Sequence, residues 1–171
     1  MGPYNRHGDS RDEVSCRSLE GVHKVVRLFP EVLDVLRCLK RQVSIRLAIA
    51  SRSPIETAAC GILGALGMLD LFCCLEIHRG NKAEHAKNIM TATGVPYRDM
   101  MFFDDDKRNV KTVSGLGVCC IKVDKDMGLT FDAVRSGLKK YRQSCLSRLE
   151  MREWLQPKAD QDDVAEDNVT V

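Results

Sequence analysis

The 171 residues are enough for one domain with a single buried core, and their apolar fraction of 44% is ordinary for a globular chain. A formal charge of +2 gives no electrostatic case for a nucleic-acid partner, and the longest apolar stretch, residues 58–69, is too short and glycine-rich to span a bilayer. Eight cysteines raise the question of a disulfide or zinc framework, but Cys73-Cys74 and Cys119-Cys120 are adjacent pairs in apolar runs and no Cys-x-x-Cys occurs. They are expected to be small buried hydrophobes in a reducing compartment. With no basic-then-apolar leader at the N-terminus, a soluble cytoplasmic protein without membrane partners is expected.

In chain order, residues 1–25 belong to a basic-leaning stretch and are expected to be poorly ordered. Pro30 opens a helix whose Val32, Leu33, Leu36 and Leu39 share one face. Residues 45–50 form a short apolar strand. Ser53-Pro54-Ile55-Glu56 combines a capping serine, proline in the first turn and glutamate three positions on, so a helix should run from there to about Gly67. Residues 72–77 are strand-like, and residues 82–92 are helical, ending at Gly94 as a left-handed cap. A strand over 100–103, a helix over 107–114 and a strand over 118–123 follow. A long helix then carries Phe131, Val134, Leu138, Tyr141, Cys145 and Leu149 on its inner side, before Pro157 and an acidic tail over 156–171. The main domain is therefore placed at residues 26–155.

Strands alternating with helices imply parallel pairing with right-handed crossovers, hence a three-layer α/β sandwich of Rossmann-like build. In such sheets, ligands gather beyond the carboxyl ends of the strands. After the first strand comes Ser51, a hydroxyl beside a helix N-terminus, where free amides and the helix dipole favour phosphate. The alternative is that Ser51 and Ser53 only organise the turn. Lys82 opens the next helix, where a cation opposes the dipole unless an anion sits between them; a solvated surface lysine is the plain alternative. Asp104, Asp105 and Asp106 crowd the end of the next strand. Such carboxylates repel unless a cation relieves them, and magnesium suits an open strand end. One aspartate capping the following helix does not account for three.

The segments Leu28-Phe29-Pro30-Glu31-Val32, Ala50-Ser51-Arg52-Ser53, Asn81-Lys82-Ala83-Glu84-His85 and Phe102-Phe103-Asp104-Asp105-Asp106-Lys107-Arg108-Asn109 resemble the eukaryotic magnesium-dependent phosphatases of the haloacid dehalogenase (HAD) superfamily, in order over residues 26–138. The resemblance implies phosphate binding by Ser51, Arg52 and Lys82. It implies a catalytic, charge-balancing role for Lys82, and Mg2+ held by Asp104 and Asp105 with support from Asn109. It also implies hydrolysis of phosphomonoesters on small molecules such as aryl or sugar phosphates, or on phosphotyrosine proteins.

That family opens with an apolar strand ending in Asp-x-Asp, whose first aspartate attacks phosphorus and whose second is the general acid/base. The present sequence begins Met1-Gly2-Pro3-Tyr4-Asn5-Arg6-His7, and Asp9 and Asp12 are wrongly spaced. The first, central strand is thus expected to be missing, turnover to be negligible and stability to be reduced unless residues 22–29 fill the gap. A non-catalytic protein retaining a phosphate- or partner-binding surface is the other reading. Asp124-Lys125-Asp126 after a strand and Cys73 with Arg79 at Cys-x5-Arg spacing are expected to be decoys. His78 and His85 are expected on a helix surface or in ordinary hydrogen bonds.

Overall fold

A computed structural model describes residues 4–5, 13–17 and 23–155. Strands β1 (Tyr4–Asn5), β2 (Glu13–Arg17) and β3 (His23–Arg27) form an antiparallel sheet in that order, with Glu13 opposite Arg27. Arg27 Nε donates to Glu13 Oε2 at 2.7 Å across the pair. The stretch set apart by its charge thus contributes β1, β2 and most of β3, and its Val14 is fully buried in the core. Of residues 22–29, the expected gap-filler, the described 23–29 supply β3, whose partner among the described strands is β2 and neither β4 nor β6.

The alternation then follows as the apolar pattern requires. Helix α1 (Val32–Lys40) buries Leu33, Val35 and Leu36. Strand β4 (Leu47–Ser51) leads to α2 (Glu56–Ala65), and β5 (Phe72–Ile77) to α3 (Lys82–Thr93). Strand β6 (Met101–Asp104) leads to α4 (Lys107–Ser114), and β7 (Cys119–Lys122) to α5 (Phe131–Leu155). Gly94 ends α3 at φ 68, the left-handed conformation for which a glycine is the least strained residue.

The expected capping box at α2 does not form. Its N-cap is Ile55, with no side-chain bond, because Ser53 turns its amide to Ser51 Oγ (3.2 Å) and its hydroxyl toward Ile55 O. The expected inner face of α5 is also corrected: Phe131, Leu138 and Leu149 are exposed, while Val134 is buried.

Strands β4 and β5 pair in parallel, as do β6 and β7, so the chain is a mixed α/β fold with parallel strands. The two pairs do not join into one sheet among the described residues. Two cores result. Val14, Leu33, Leu36, Leu66 and Met68 cluster beside β4 and β5, with Leu47 and Phe72 packed on them. Ala86, Val113, Val118 and Cys120 cluster around the second pair, with Phe102 against them. Burying each larger aliphatic side chain contributes on the order of 1.5–3 kcal/mol. No helix among the described residues is long and apolar enough to cross a membrane.

Candidate active site

The carboxyl ends of β4 and β6 meet at Lys82. Its Nζ donates to the Ala50 carbonyl at the end of β4 and lies 3.7 Å from Asp104 Oδ2 at the end of β6. Both side chains are more than nine-tenths buried. The lysine stands at the first position of α3, where Asn81 caps the helix by accepting from the Glu84 amide at 2.8 Å. Its charge is satisfied by strand-end oxygens instead of solvent, which settles how a cation sits at a positive helix end. Burial pushes the Lys82 ammonium below its ordinary value, and Asp104 partly restores it.

Asp104 is held by its own loop. Its Oδ1 accepts from the Asp106 amide (2.8 Å) and from Asn109 Nδ2 (2.9 Å), which leaves Oδ2 as the oxygen nearest Lys82. Asp106 is the capping member of the acidic trio. It caps α4 through the Arg108 amide, pairs with the Arg108 guanidinium, and is lowered from its ordinary value chiefly by that residue. Asp105 is exposed. Arg52 reaches within 3.9 Å of Asp106 Oδ2, linking the loop after β4 to the loop after β6. Ser51 closes the group from β4, its Oγ accepting from the Ser53 amide.

The structure therefore brings together Ser51, Arg52, Lys82, Asp104 and Asn109 at one end of the parallel pairs, with Asp105 exposed beside them. His85, expected on a helix surface or in ordinary hydrogen bonds, takes the second of these and supports the site. His85 is fully buried one turn after Lys82, its ring nitrogens facing the carbonyls of Asn81 (2.8 Å) and His78 (3.1 Å). It pins the turn that delivers Lys82. Its burial and its two carbonyl partners are what the sequence did not specify.

The decoys behave as ordinary structure. Asp124 Oδ1 accepts from the amides of Asp126 and Met127 in a tight turn. Cys73 lies within β5, where no phosphate loop can form, and Arg79 is exposed. The seven cysteines whose state is described are all free.

A hydroxyl, a buried lysine and a carboxylate thus converge past the carboxyl ends of parallel strands, the place where α/β proteins of this class gather their ligands. An acid phosphatase family model matches residues 7–144, so the chain belongs to that family of HAD-like hydrolases. It is 38% identical to human magnesium-dependent phosphatase 1 over 104 residues, covering 61% of this chain and 58% of that protein. It is 28% identical to a HAD-like hydrolase superfamily protein of Schizosaccharomyces pombe over 110 residues, covering 59% of this chain and 63% of that protein. The chain thus spans about three-fifths of the length of these relatives.

Proposed function

We propose that the chain carries the phosphate- and magnesium-holding part of a phosphomonoester hydrolase acting on aryl phosphates, phosphotyrosine or sugar phosphates, in the cytoplasm. The observation that supports this reading is the buried Lys82–Asp104 pair joining the ends of two parallel strand pairs. A buried ion pair contributes little net stability, so its placement at the strand ends is better explained by chemistry than by folding.

The donor set suits magnesium in kind. Asp104 Oδ2 is not used by the loop that holds Oδ1, Asp105 is exposed beside it, and hard oxygen donors with room for water are what this ion requires. No cluster of three or more carboxylate, imidazole or thiol groups able to hold a metal occurs among the described residues. With two carboxylates at the strand end, such an ion would take its remaining oxygens from water and substrate. When bound, magnesium offsets charge on the phosphoryl group. Asn109 and the Asp106 amide orient Asp104, Lys82 supplies a fixed positive charge opposite the phosphate, and Ser51 with the uncapped start of α2 offers it a hydroxyl and backbone amides.

The same reading makes the fold a three-layer sandwich whose central strand, with the attacking aspartate, is absent from the described residues. At the end of β4, Lys82 donates to the outward carbonyl of Ala50. The 171-residue chain alone is then expected to bind Mg2+ and to leave p-nitrophenyl phosphate intact, with Mg2+ binding reduced at least about tenfold by Asp104→Asn. Magnesium-dependent hydrolysis abolished by Asp104→Asn would show instead that the chain carries its own nucleophile. Fusing an apolar strand ending in Asp-x-Asp ahead of residue 1 separates the remaining readings. Restored hydrolysis supports the phosphatase, while none favours a non-catalytic phosphate- or partner-binding protein.

A further inference from the structure

At the opposite end of the β6–β7 pair, Arg98, Ser114, Val118, Cys119, Lys140 and Arg148 border an open cleft of about 240 Å3. At ~3.3 Å per strand residue, it lies roughly 10 Å from Asp104 along β6. Three of its lining side chains are cations and none is a carboxylate. The cations come from two elements: Arg98 precedes β6, whereas Lys140 and Arg148 stand two helical turns apart on α5, with Ser144 between them.

Little neutralises them. Lys140 Nζ donates to the Cys120 carbonyl at 2.8 Å, which uses one of its three N–H bonds. Arg148 Nη2 meets the Cys145 sulfur at 3.0 Å, a weak acceptor. Arg98 Nε lies 3.9 Å from its neighbour Asp99, with both side chains largely in solvent, where such pairs are weak. The α5 cations share the cleft wall with Cys119. Burial holds the Cys119 thiol above its ordinary value; Lys140 and, less strongly, Arg148 oppose that rise, and Cys145 adds to it. A lysine guarding the outer edge of β7 accounts for Lys140, which covers an edge carbonyl, but not for the two arginines beside it.

We propose that this cleft is a second oxyanion site, binding small phosphate or sulfate dianions independently of the Ser51–Lys82–Asp104 cluster. Its size admits such an ion with a small organic group and is below that of ordinary drug-sized pockets. Guanidinium forks suit the geometry of a tetrahedral oxyanion.

The test is titration of the 15N-labelled full chain with inorganic phosphate, followed by amide shifts. Saturable shifts are expected at residues 117–120 and 140–148, with a Kd on the order of 1 mM. Binding should weaken at least about tenfold in Lys140→Gln/Arg148→Gln and be unchanged there in Lys82→Gln. Because Lys140 also holds a backbone carbonyl, Arg98→Gln is the second variant; its exposed side chain can be neutralised without touching the strand. It should weaken binding by about threefold to tenfold. The proposal is overturned by any of three results: no saturable shift at these amides, an unchanged Kd in both variants, or equal shifts from sodium chloride at matched ionic strength.

Discussion

His78 stacks on His85 with ring centroids 4.3 Å apart, and the two imidazoles have different partners. Both ring nitrogens of His78 face acceptors: Nδ1 the Arg79 carbonyl at 3.0 Å and Nε2 the Glu76 carboxylate at 2.9 Å. Only the imidazolium can donate both bonds. The Arg79 carbonyl first, and then Glu76, raise His78 above its ordinary 6.5. For Glu76, burial alone would raise the carboxyl. Bonds from Asn88 and His78 outweigh it and leave the group below 4.5. A raised histidine stabilises fully below its unfolded value and loses that contribution as pH rises through the folded one. A lowered carboxyl stabilises above its unfolded value and loses its contribution in acid. The pair therefore contributes most between 4.5 and 6.5. Urea midpoints measured from about pH 5.5 to about pH 8 should fall more for the native chain than for His78→Gln. Parallel pH profiles for the two would show that the ion pair does not act on stability.

On the scale of elements, α5 shows both what a sequence pattern conveys and what it omits. Apolar periodicity found the helix but misjudged its face. Phe131, Leu138 and Leu149 are 42%, 46% and 54% exposed, whereas Val134 and the half-buried Tyr141 and Cys145 do face inward. The residue at the closest approach is Gly137, which a hydrophobicity pattern passes over. A Cβ there would stand 2.8 Å from Met101 Cε and 3.0 Å from Ile121 Cδ1. Among the described residues the helix meets β6 and β7 at this point, so its apolar stripe is wider than the surface they cover. Gly137→Val should accordingly destabilise the chain by about 1–3 kcal/mol through overpacking. Thermal or urea unfolding checks this, and a variant as stable as the parent would show that α5 can lift away without loss. Strand ends were legible for a different reason. Ser51, Lys82 and Asp104 each come after a short apolar run that alternates with helices and so reads as a strand, and parallel topology then puts them on one side. The resemblance gave Asn109 a supporting role and His85 was expected in ordinary hydrogen bonds, but their particular partners, Asp104 and the carbonyls of Asn81 and His78, depend on side-chain directions that no spacing specifies.

For the molecule as a whole, the separation of the two parallel pairs makes a prediction that pattern reading alone could not locate residue by residue. The His78 amide bonds the Ser51 carbonyl, so Ser51 and Ile49 direct their backbone groups to β5, and Ala50 directs its own away. The Cys119 amide bonds the Met100 carbonyl and the Val123 amide bonds the Asp104 carbonyl, so Phe102 and Asp104 face β7 while Met101 and Phe103 face away. Among the described residues no strand receives those outward groups. Neither β4 nor β6 has a fully buried residue, although runs as apolar as Leu47–Ser51 and Met101–Asp104 ordinarily belong to strands covered on both faces. Amide exchange should therefore alternate along both strands: fast at Ala50, Met101 and Phe103, slow at Ile49, Ser51, Phe102 and Asp104. In the fusion that supplies an apolar strand, the fast set should slow together by at least about tenfold, because pairing protects both edges at once. Uniform protection along β4 and β6 in the unfused chain would mean that the edges are already paired, and the account of a missing central strand would fail with it.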